Sequence, residues 1–393
     1  MFKQIFEIVM LNLKSIPDRL AASLVIIVGI AGVVGVFTAL FAMSKGIEST
    51  LVSSGDPLNA MVMRGGSQDE LNSSLSRDAF DLASRAAGVR KDAKGEALAS
   101  GELIVIAELP KKGGTLGANV TLRGISPQGL ALRPRLKVVE GRAFTAGLQE
   151  LLVGKGAASQ FEGLAVGKTV RLRSSDWMVV GLFESGDIAE SEILTDAATA
   201  QTAWGRPNTY STVLAALETA ESFAPFEAAL KADPRLSGVE VKNQLKYYSE
   251  QTEKSTDGIR VLGTVVAIIM GLGAIFAALN TMYASVSART REIATLRAIG
   301  FGGLPVVISV MVEAMLLALI GGLIGAILAY VFFNGMTVST LGGSFTQLVF
   351  NFRVTPGLVA AGVFMALGIG FVGGLLPAMR AARMQVTTAL REA

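Results

Sequence analysis

The sequence predicts a membrane protein with four transmembrane α-helices, one N-terminal and three C-terminal, and a large extracytoplasmic α+β domain with an inserted, mainly β subdomain. Hydrophobic residues make up 51% of the 393 residues, and they are concentrated in four runs. Each run reaches the ~20 apolar residues that a helix needs to cross a ~30 Å hydrocarbon core. A long, mostly polar stretch separates the first run from the other three.

The four runs set the predicted boundaries along the chain. The predicted transmembrane helices are 20–43, 258–286, 304–333 and 356–379. The other segments are an interfacial helix (1–19), the large domain (44–257), a cytoplasmic connection (287–303), a short outer loop (334–355) and a cytoplasmic tail (380–393). The first run is longer than the h-region of a signal peptide, about 7–15 residues, and no clean cleavage site follows it. We therefore expect it to be a retained anchor.

Lysine and arginine residues predict the orientation, because short loops rich in them stay in the cytoplasm. They precede the first run, fill the connection between the second and third runs, and follow the fourth. The loop between the third and fourth runs holds only Arg353. We therefore expect both termini in the cytoplasm of a bacterium. The large domain would lie beyond the inner membrane, in the periplasm of a Gram-negative cell.

The large domain contains two similar segments and a different segment between them. Residues 58–109 are typical of a strand, a helix capped by Ser76 and a second strand. Residues 211–245 repeat this order, with a helix at 223–232, and the two halves are expected to pair into one α+β domain. Residues 110–210 alternate short β-rich runs with glycine-containing turns, which predicts the inserted β subdomain.

A long helix is expected to connect the large domain with the cytoplasmic connection. The chain after Lys242 is polar and favours a helix, and no proline interrupts it before the second apolar run. We expect an unbroken helix from about Gln244 to Ala298, which would be about 80 Å long at 1.5 Å per residue.

The residue types that are missing exclude several kinds of chemistry. The sequence contains neither cysteine nor histidine, which excludes thiolate nucleophiles, disulfides, histidine general bases and the usual zinc sites. The net charge is only +3, and no basic block suggests a nucleic acid partner. Residues 163–169 resemble a phosphate-binding loop, but its glycines are one residue too close together and a strand is expected after it. We therefore expect no cofactor in this chain.

The cytoplasmic connection contains the most specific segment, SARTREIATLRAIG (287–300). On a helical period, one face carries both apolar and charged residues, namely Arg289, Glu292, Ile293, Leu296 and Ile299. Such a mixed face suits a protein groove better than a bilayer, although an ordinary positively charged loop would also account for the arginines.

Glu313 is the only acidic residue within a predicted transmembrane run. A charge at the bilayer centre costs ~2.5–3.5 kcal/mol on insertion scales. We expect it to form a structural hydrogen bond to a neighbouring helix, with a role in coupling as the alternative. Small residues in the same runs permit close packing of helices. They include Gly29, Gly32, Gly35, Gly321, Gly325, Gly370 and Gly374.

Residues 260–380 resemble the permease domain of the FtsX/MacB-type family of ABC transporters. The matching segments are REIATLRAIG (291–300), Glu313-Ala314, Gly321-Gly322-x-x-Gly325 and GGLLPA (373–378). The large domain resembles the MacB-type periplasmic domain, because short motifs fall in the expected order. These motifs are EGRAF (140–144), Val153-Gly154, Val166-Gly167 and WxVVG (177–181).

The resemblance implies a homodimer, or a heterodimer with a sister permease, in the lipid bilayer. A separate ABC ATPase subunit would bind ATP and Mg²⁺. By position, the residues that contact this ATPase would be Arg289, Arg291, Glu292, Leu296, Arg297 and Gly300.

The expected function is mechanotransmission, in which ATP hydrolysis by the partner moves the periplasmic domain. That domain would export a periplasmic or outer-leaflet substrate through a membrane-fusion adaptor and an outer-membrane duct. The alternative is an FtsX-like signalling scaffold that activates a peptidoglycan hydrolase without transport. The inserted β subdomain matches the transporter branch better. The transported substrate is left open.

Overall fold

The computed structural model describes residues 6, 7, 9, 10, 20–114, 117–341 and 346–384. Within this part of the chain the residues form two compact units. The membrane unit comprises residues up to 45, 257–336 and 352 onward, and the extracytoplasmic unit comprises 46–256 and 337–351. The four described residues of the predicted interfacial helix are helical. The rest of that helix, and the tail after residue 384, lie outside the described residues.

The described helices are α1 (Leu20–Ser53), α2 (Arg77–Ser84), α3 (Lys155–Gln160), α4 (Ala197–Ala203), α5 (Phe223–Ala232), α6 (Gln244–Ala288), α7 (Thr290–Ala298), α8 (Gly303–Phe333) and α9 (Pro356–Arg383). The described strands are β1 (Asn59–Arg64), β2 (Leu75–Ser76), β3 (Ala99–Pro110), β4 (Gly117–Ile125), β5 (Lys137–Gly141), β6 (Glu150–Gly154), β7 (Thr169–Leu172), β8 (Ser175–Glu184), β9 (Glu192–Asp196), β10 (Thr209–Tyr210), β11 (Thr212–Ala216), β12 (Val239–Asn243), β13 (Thr337–Leu341) and β14 (Gln347–Asn351).

Four of the described helices, α1, α6, α8 and α9, are long and apolar enough to cross a membrane. This confirms the predicted arrangement of one N-terminal and three C-terminal transmembrane helices. In the membrane unit these helices pack through a shared apolar core. Its members include Ile30, Val34, Met282, Val310, Leu317 and Ala366.

The extracytoplasmic unit is built on one ten-stranded mixed sheet with the order β12-β1-β11-β3-β4-β9-β6-β8-β5, and β7 also pairs with β8. Strands of the two predicted halves meet at one end, because β1 lies between β11 and β12 and is antiparallel to both. The strands of the predicted insert continue the sheet at the other end. The join is the antiparallel pair β3 and β4, in which Glu102 lies opposite Ile125.

Local signals in the sequence correspond to several of these elements. Helix α5 has the predicted bounds, and the side chain of Ser76 caps α2 by accepting a hydrogen bond from the Ala79 amide. The segment that resembles a phosphate-binding loop is a turn followed by a strand. Gly163 and Gly167 have positive φ, and β7 begins two residues later. No helix begins there to bind a phosphate group.

The first transmembrane helix continues ten residues beyond its predicted end, to Ser53, and the structure differs from the prediction in the long helix and in the outer loop as well. The long helix is not continuous to Ala298, because α6 ends at Ala288 and Arg289 has φ −117° and ψ 25° before α7 begins. The predicted outer loop contains the hairpin of β13 and β14, which belongs to the extracytoplasmic unit. The amide of Val349 donates to the Ser191 hydroxyl over 2.9 Å, and the Ser339 hydroxyl donates to Gln160 over 2.8 Å.

Candidate functional site

Helix α7 forms most of the predicted coupling segment, and hydrogen bonds at its C-terminal end define where it stops. The Phe301 amide donates to the Leu296 carbonyl and the Gly300 amide to the Arg297 carbonyl, both over 3.1 Å. This pair of hydrogen bonds is the Schellman motif, which requires a left-handed residue just beyond the helix. Gly300 supplies it with φ 100°. Gly300 therefore ends the helix, and its backbone fixes the length of α7.

One face of α7 packs into the core of the membrane unit. Ile293 and Ala294 are buried, and Ile293 belongs to the same apolar cluster as Val286 of α6 and Val306 of α8. Since this face is buried by neighbouring helices, α7 is a part of the membrane unit's packing and not a loose loop.

The opposite face of α7 is exposed. Arg291, Glu292, Thr295 and Ala298 are exposed, and the side chain of Ile299 at the end of the helix is 71% exposed. This surface combines one positive charge, one negative charge and a large apolar residue. Of the residues predicted to contact an ATPase, Arg291 and Glu292 lie here, and Leu296 is half-buried at its edge.

Arg289 is placed differently from the other predicted contact residues. It is only 6% exposed, and its guanidinium donates to the carboxylate of Glu313 in α8, which is 4% exposed. Glu313 lies ten residues into α8, about 15 Å from the start of that helix at helical rise. The two charges therefore form a buried ion pair that links the residue just before α7 to the interior of a transmembrane helix.

A second link leaves the other end of α7. The guanidinium of Arg297 donates to the backbone carbonyl of Met384, one residue beyond the end of α9. Helix α7 is thus attached to α8 through Arg289 and to the end of α9 through Arg297. The sequence predicted a surface role for both arginines, and the structure places both in contacts within the chain.

Comparisons with known proteins place this geometry in a family. The model of the MacB-like periplasmic core domain matches residues 20–233, which is more than half of the chain, and that of the FtsX-like permease C-terminal domain matches residues 264–386. The chain belongs to the FtsX/MacB-type ABC permease family. It is a membrane-embedded permease component with an extracytoplasmic domain.

Relatives of the permease include the macrolide export ATP-binding/permease protein MacB of Shewanella oneidensis. It is 35% identical over 141 residues, which are 36% of this chain and 20% of that protein. MacB of Hyphomonas neptunium is 29% identical over 244 residues, 58% of this chain and 35% of that protein. The matched region thus spans about a fifth to a third of the length of these relatives.

Two solved structures resemble parts of the permease. The extracellular domain of the ABC-type transporter YknZ from Gram-positive bacteria has a TM-score of 0.37 and 18% identity, covering 47% of this chain and 100% of that chain. The periplasmic region of MacB from Actinobacillus actinomycetemcomitans has a TM-score of 0.37 and 13% identity, covering 50% of this chain and 92% of that chain.

Four of the predicted packing glycines of the permease lie in close helix contacts, and three do not. In α8, a Cβ at Gly321 would lie 2.8 Å from the carbonyl oxygen of Ile27 in α1, and a Cβ at Gly325 would lie 2.4 Å from that of Ala31 in α1. In α9, a Cβ at Gly370 would lie 2.4 Å from the Cβ of Ala318 in α8, and a Cβ at Gly374 would lie 2.7 Å from that of Ala314 in α8. A Cβ at Gly35 would be in ordinary van der Waals contact with the Gly325 carbonyl oxygen, at 3.7 Å. A Cβ at Gly29 or Gly32 would meet no described atom within 4 Å.

A buried charge cluster in the extracytoplasmic unit was not expected from the sequence. Arg123 of β4 is 4% exposed and uses all five of its N–H donors on carboxylates, at distances of 2.6–3.0 Å. The acceptors are Glu70 in the loop after β1, Glu102 of β3 and Glu192 of β9. A second arginine, Arg133, forms two hydrogen bonds to Glu102. The cluster therefore joins the first predicted half to the predicted insert.

The charges of the cluster stabilise one another. Burial by itself would raise the pKa of Glu102, but the positive charges of Arg133 and Arg123 outweigh this effect and lower that pKa. Burial would likewise lower the pKa of Arg123, and the carboxylates of Glu192 and Glu70 raise it well above its ordinary value. Both groups are therefore charged at neutral pH. Among the described residues, no group of three His, Cys, Asp or Glu side chains is arranged to hold a metal ion.

Proposed function

We propose that this permease converts the ATP-driven motion of a partner ATPase into movement of its extracytoplasmic domain. The observation that carries the proposal is the buried ion pair of Arg289 and Glu313. It attaches a helix with an exposed docking face to the interior of the transmembrane helices.

The exposed face of α7 is the surface on which we expect the ATPase to dock. It has the mixed character of a protein-binding surface, with Arg291 and Glu292 exposed in the first turn of the helix and Ile299 exposed just after its last residue. Charges of both signs specify orientation, and an exposed apolar residue supplies affinity. The ATPase would be a separate chain, binding ATP and Mg²⁺.

The buried side of α7 would pass the motion on. Its two ends are attached to α8 by Arg289 and to the end of α9 by Arg297. Breaking a buried ion pair costs about 3–5 kcal/mol, because one charge is left without its partner. We propose that a push on α7 is therefore passed to α8 through Arg289 and Glu313.

Helix α6 provides the route to the extracytoplasmic unit. The boundary between the two units falls between Thr256 and Asp257, inside this helix. Because α6 has 45 residues without an interruption, it spans about 68 Å at helical rise. We propose that it carries the displacement of the cytoplasmic end to the ten-stranded sheet.

We further propose that the moving domain drives export, together with a second permease copy or a sister permease, a periplasmic membrane-fusion adaptor and an outer-membrane duct. The relationship to macrolide export proteins supports this direction. In this arrangement both termini are cytoplasmic and the substrate enters from the extracytoplasmic side.

The first test is gentle affinity purification from native membranes, using the wild type, Glu292→Arg and the control Glu253→Arg. Glu253 is exposed on α6 in the extracytoplasmic unit, so its reversal makes the same charge change away from α7. We expect an ABC ATPase to copurify with the wild type and the control and to be lost with Glu292→Arg. Retention of the ATPase by Glu292→Arg would contradict the docking face. A copurifying peptidoglycan hydrolase in place of an adaptor would favour the signalling scaffold.

The second test separates coupling from docking. Because the sequence has no cysteine, a single label at Val139→Cys on β5 can report motion of the extracytoplasmic unit. We expect Glu313→Gln to retain the ATPase but to lose the ATP-dependent change in label fluorescence. The charge exchange Arg289→Glu with Glu313→Arg should restore at least part of the change. An unaltered ATP response in Glu313→Gln would show that the ion pair does not transmit motion.

A further inference from the structure

We propose that a groove between the ends of α8 and α9 binds an anionic phospholipid of the surrounding membrane. The groove has a volume of about 630 Å³ and lies within the membrane unit. Small-molecule sites commonly have volumes of ~300–1,000 Å³, so it is large enough for part of a lipid molecule. Its lining residues include Tyr330, Asn334, Arg353, Val359, Val363 and Phe364.

The charge of the groove indicates the sign of its ligand. Between Glu313 and Arg380 the sequence contains a single charged residue, Arg353, and this residue lines the groove and is exposed. A guanidinium carries five N–H donors in a planar fork that matches the oxygens of a phosphate. It can hold a phosphate in addition to contacts with the protein. None of the described residues that line the groove is acidic, so the charge of this lining is complementary to an anion.

The depth of the groove matches the layers of a lipid. Arg353 lies three residues before α9 begins at Pro356, and Tyr330 lies three residues before α8 ends at Phe333. These positions are at the membrane boundary, where tyrosine is enriched. Phe364 lies eight residues into α9, about 12 Å deeper at helical rise, which is most of one leaflet of a ~30 Å hydrocarbon core. A headgroup phosphate at Arg353 therefore places an acyl chain along Val359, Val363 and Phe364.

The exposure of the groove favours a lipid as the occupant. Its polar residues are at one end, and the side chain of Phe364 at the other end is 73% exposed. Such a surface, polar at the boundary and apolar at depth, is complementary to an amphiphile with a charged head. A second protein chain would have to bring an acidic residue to the membrane boundary and an apolar face beneath it.

The test uses the full chain in detergent with equal amounts of phosphatidylglycerol and phosphatidylcholine, and native mass spectrometry of the retained lipids. One basic residue near a membrane surface contributes ~1 kcal/mol to binding of anionic lipid, which corresponds to about a fivefold preference. We expect the wild type to prefer phosphatidylglycerol by about this factor. Arg353→Gln should remove the preference, and Ala360→Trp should lower retention of both lipids by filling the groove.

Arg383→Gln is the matched control, because Arg383 is also exposed and lies in the last turn of α9, away from the groove. It should keep the preference of the wild type. A preference that survives Arg353→Gln would overturn the proposal. Disulfide dimers of Ala360→Cys in native membranes would also overturn it, because a second copy of the chain would then cover the groove.

Discussion

Arg123 connects buried carboxylates from three separate segments of the extracytoplasmic unit. Its neighbours Glu102 and Glu192 lie on the strands on either side of β4, on the same face of the sheet. The third carboxylate, Glu70, comes from the loop after β1, where its own amide donates to the Tyr247 hydroxyl of α6 over 3.3 Å. Arg123 thus attaches the loop to the middle of the sheet, and the loop is hydrogen-bonded in turn to the start of α6.

Replacement of Arg123 by Gln should destabilise the extracytoplasmic unit strongly. It would leave buried carboxylates without their counter-charge, which costs about 3–5 kcal/mol. Urea unfolding in detergent can be followed by tryptophan fluorescence, because both tryptophans of the sequence, Trp177 and Trp204, belong to this unit.

Arg235→Gln serves as the control for this substitution. Its ion pair with Asp233 is at the surface, where the arginine side chain is 69% exposed, and surface pairs contribute ~0–1 kcal/mol. An Arg123→Gln variant as stable as Arg235→Gln would mean that the cluster does not hold the unit together.

The sequence could not predict this cluster for a physical reason. Its members Glu70, Glu102, Arg123 and Glu192 are far apart along the chain. Glu102 lies just before the apolar run that predicts a strand at 103–107, and such a position is also typical of a solvated turn. Only the register of β3, β4 and β9 brings Glu102, Arg123 and Glu192 together. Glu313, by contrast, could be recognised, because an acid within an apolar run must have a partner.

At the scale of elements, the contacts of α8 with α1 and α9 depend on glycines at particular positions. Four glycines allow backbone or Cβ atoms of neighbouring helices to approach closely, whereas Gly29 and Gly32 have no described neighbour at the Cβ position. A pattern of small residues in an apolar run predicts a close contact. It does not say which of the glycines faces which helix.

Gly325→Ala should weaken the packing of α1 on α8. The added Cβ would lie 2.4 Å from the Ala31 carbonyl oxygen, and a backbone atom cannot turn away as a side chain does. Overpacking of this kind costs about 1–3 kcal/mol. Gly29→Ala adds the same methyl group where the space is open, and it should leave stability unchanged or raise it by less than ~1 kcal/mol. Unfolding of both variants in mixed micelles with increasing SDS would measure the difference. Equal stability of the two would refute the assignment.

The break between α6 and α7 is the element-scale feature that the sequence did not predict. No proline or glycine marks it in the sequence. The backbone leaves the helical conformation at Arg289, the residue that reaches Glu313. The break is thus accompanied by a contact with Glu313, a residue distant in the sequence. The end of α7, by contrast, is set locally by Gly300.

At the scale of the whole molecule, α6 is a continuous element shared by both units. Gly258 lies two residues beyond the boundary, and a Cβ there would meet no described atom within 4 Å. The position therefore tests the continuity of the helix without disturbing its packing.

Gly258→Pro should separate ATP hydrolysis from movement of the extracytoplasmic unit, and Gly258→Ala should not. Proline removes a helical hydrogen bond and kinks the helix at a cost of ~3 kcal/mol or more, whereas alanine favours the helix. In the complex with its ATPase, the label at Val139→Cys should lose its ATP response in the proline variant alone. A full response in Gly258→Pro would exclude α6 as the route.

The hairpin of β13 and β14 determines which residues a fragment or a chimera of the extracytoplasmic unit must contain. It follows α8 in the chain, yet its Ser339 and Val349 bond to residues of the extracytoplasmic unit, and Val349 and Phe350 are buried. The unit is therefore encoded by two separate stretches of the gene. A fragment limited to residues 46–256, or a chimera that exchanges only these residues with a relative, would lose the strand pair that is hydrogen-bonded to them. A functional exchange cassette must carry residues 337–351 as well.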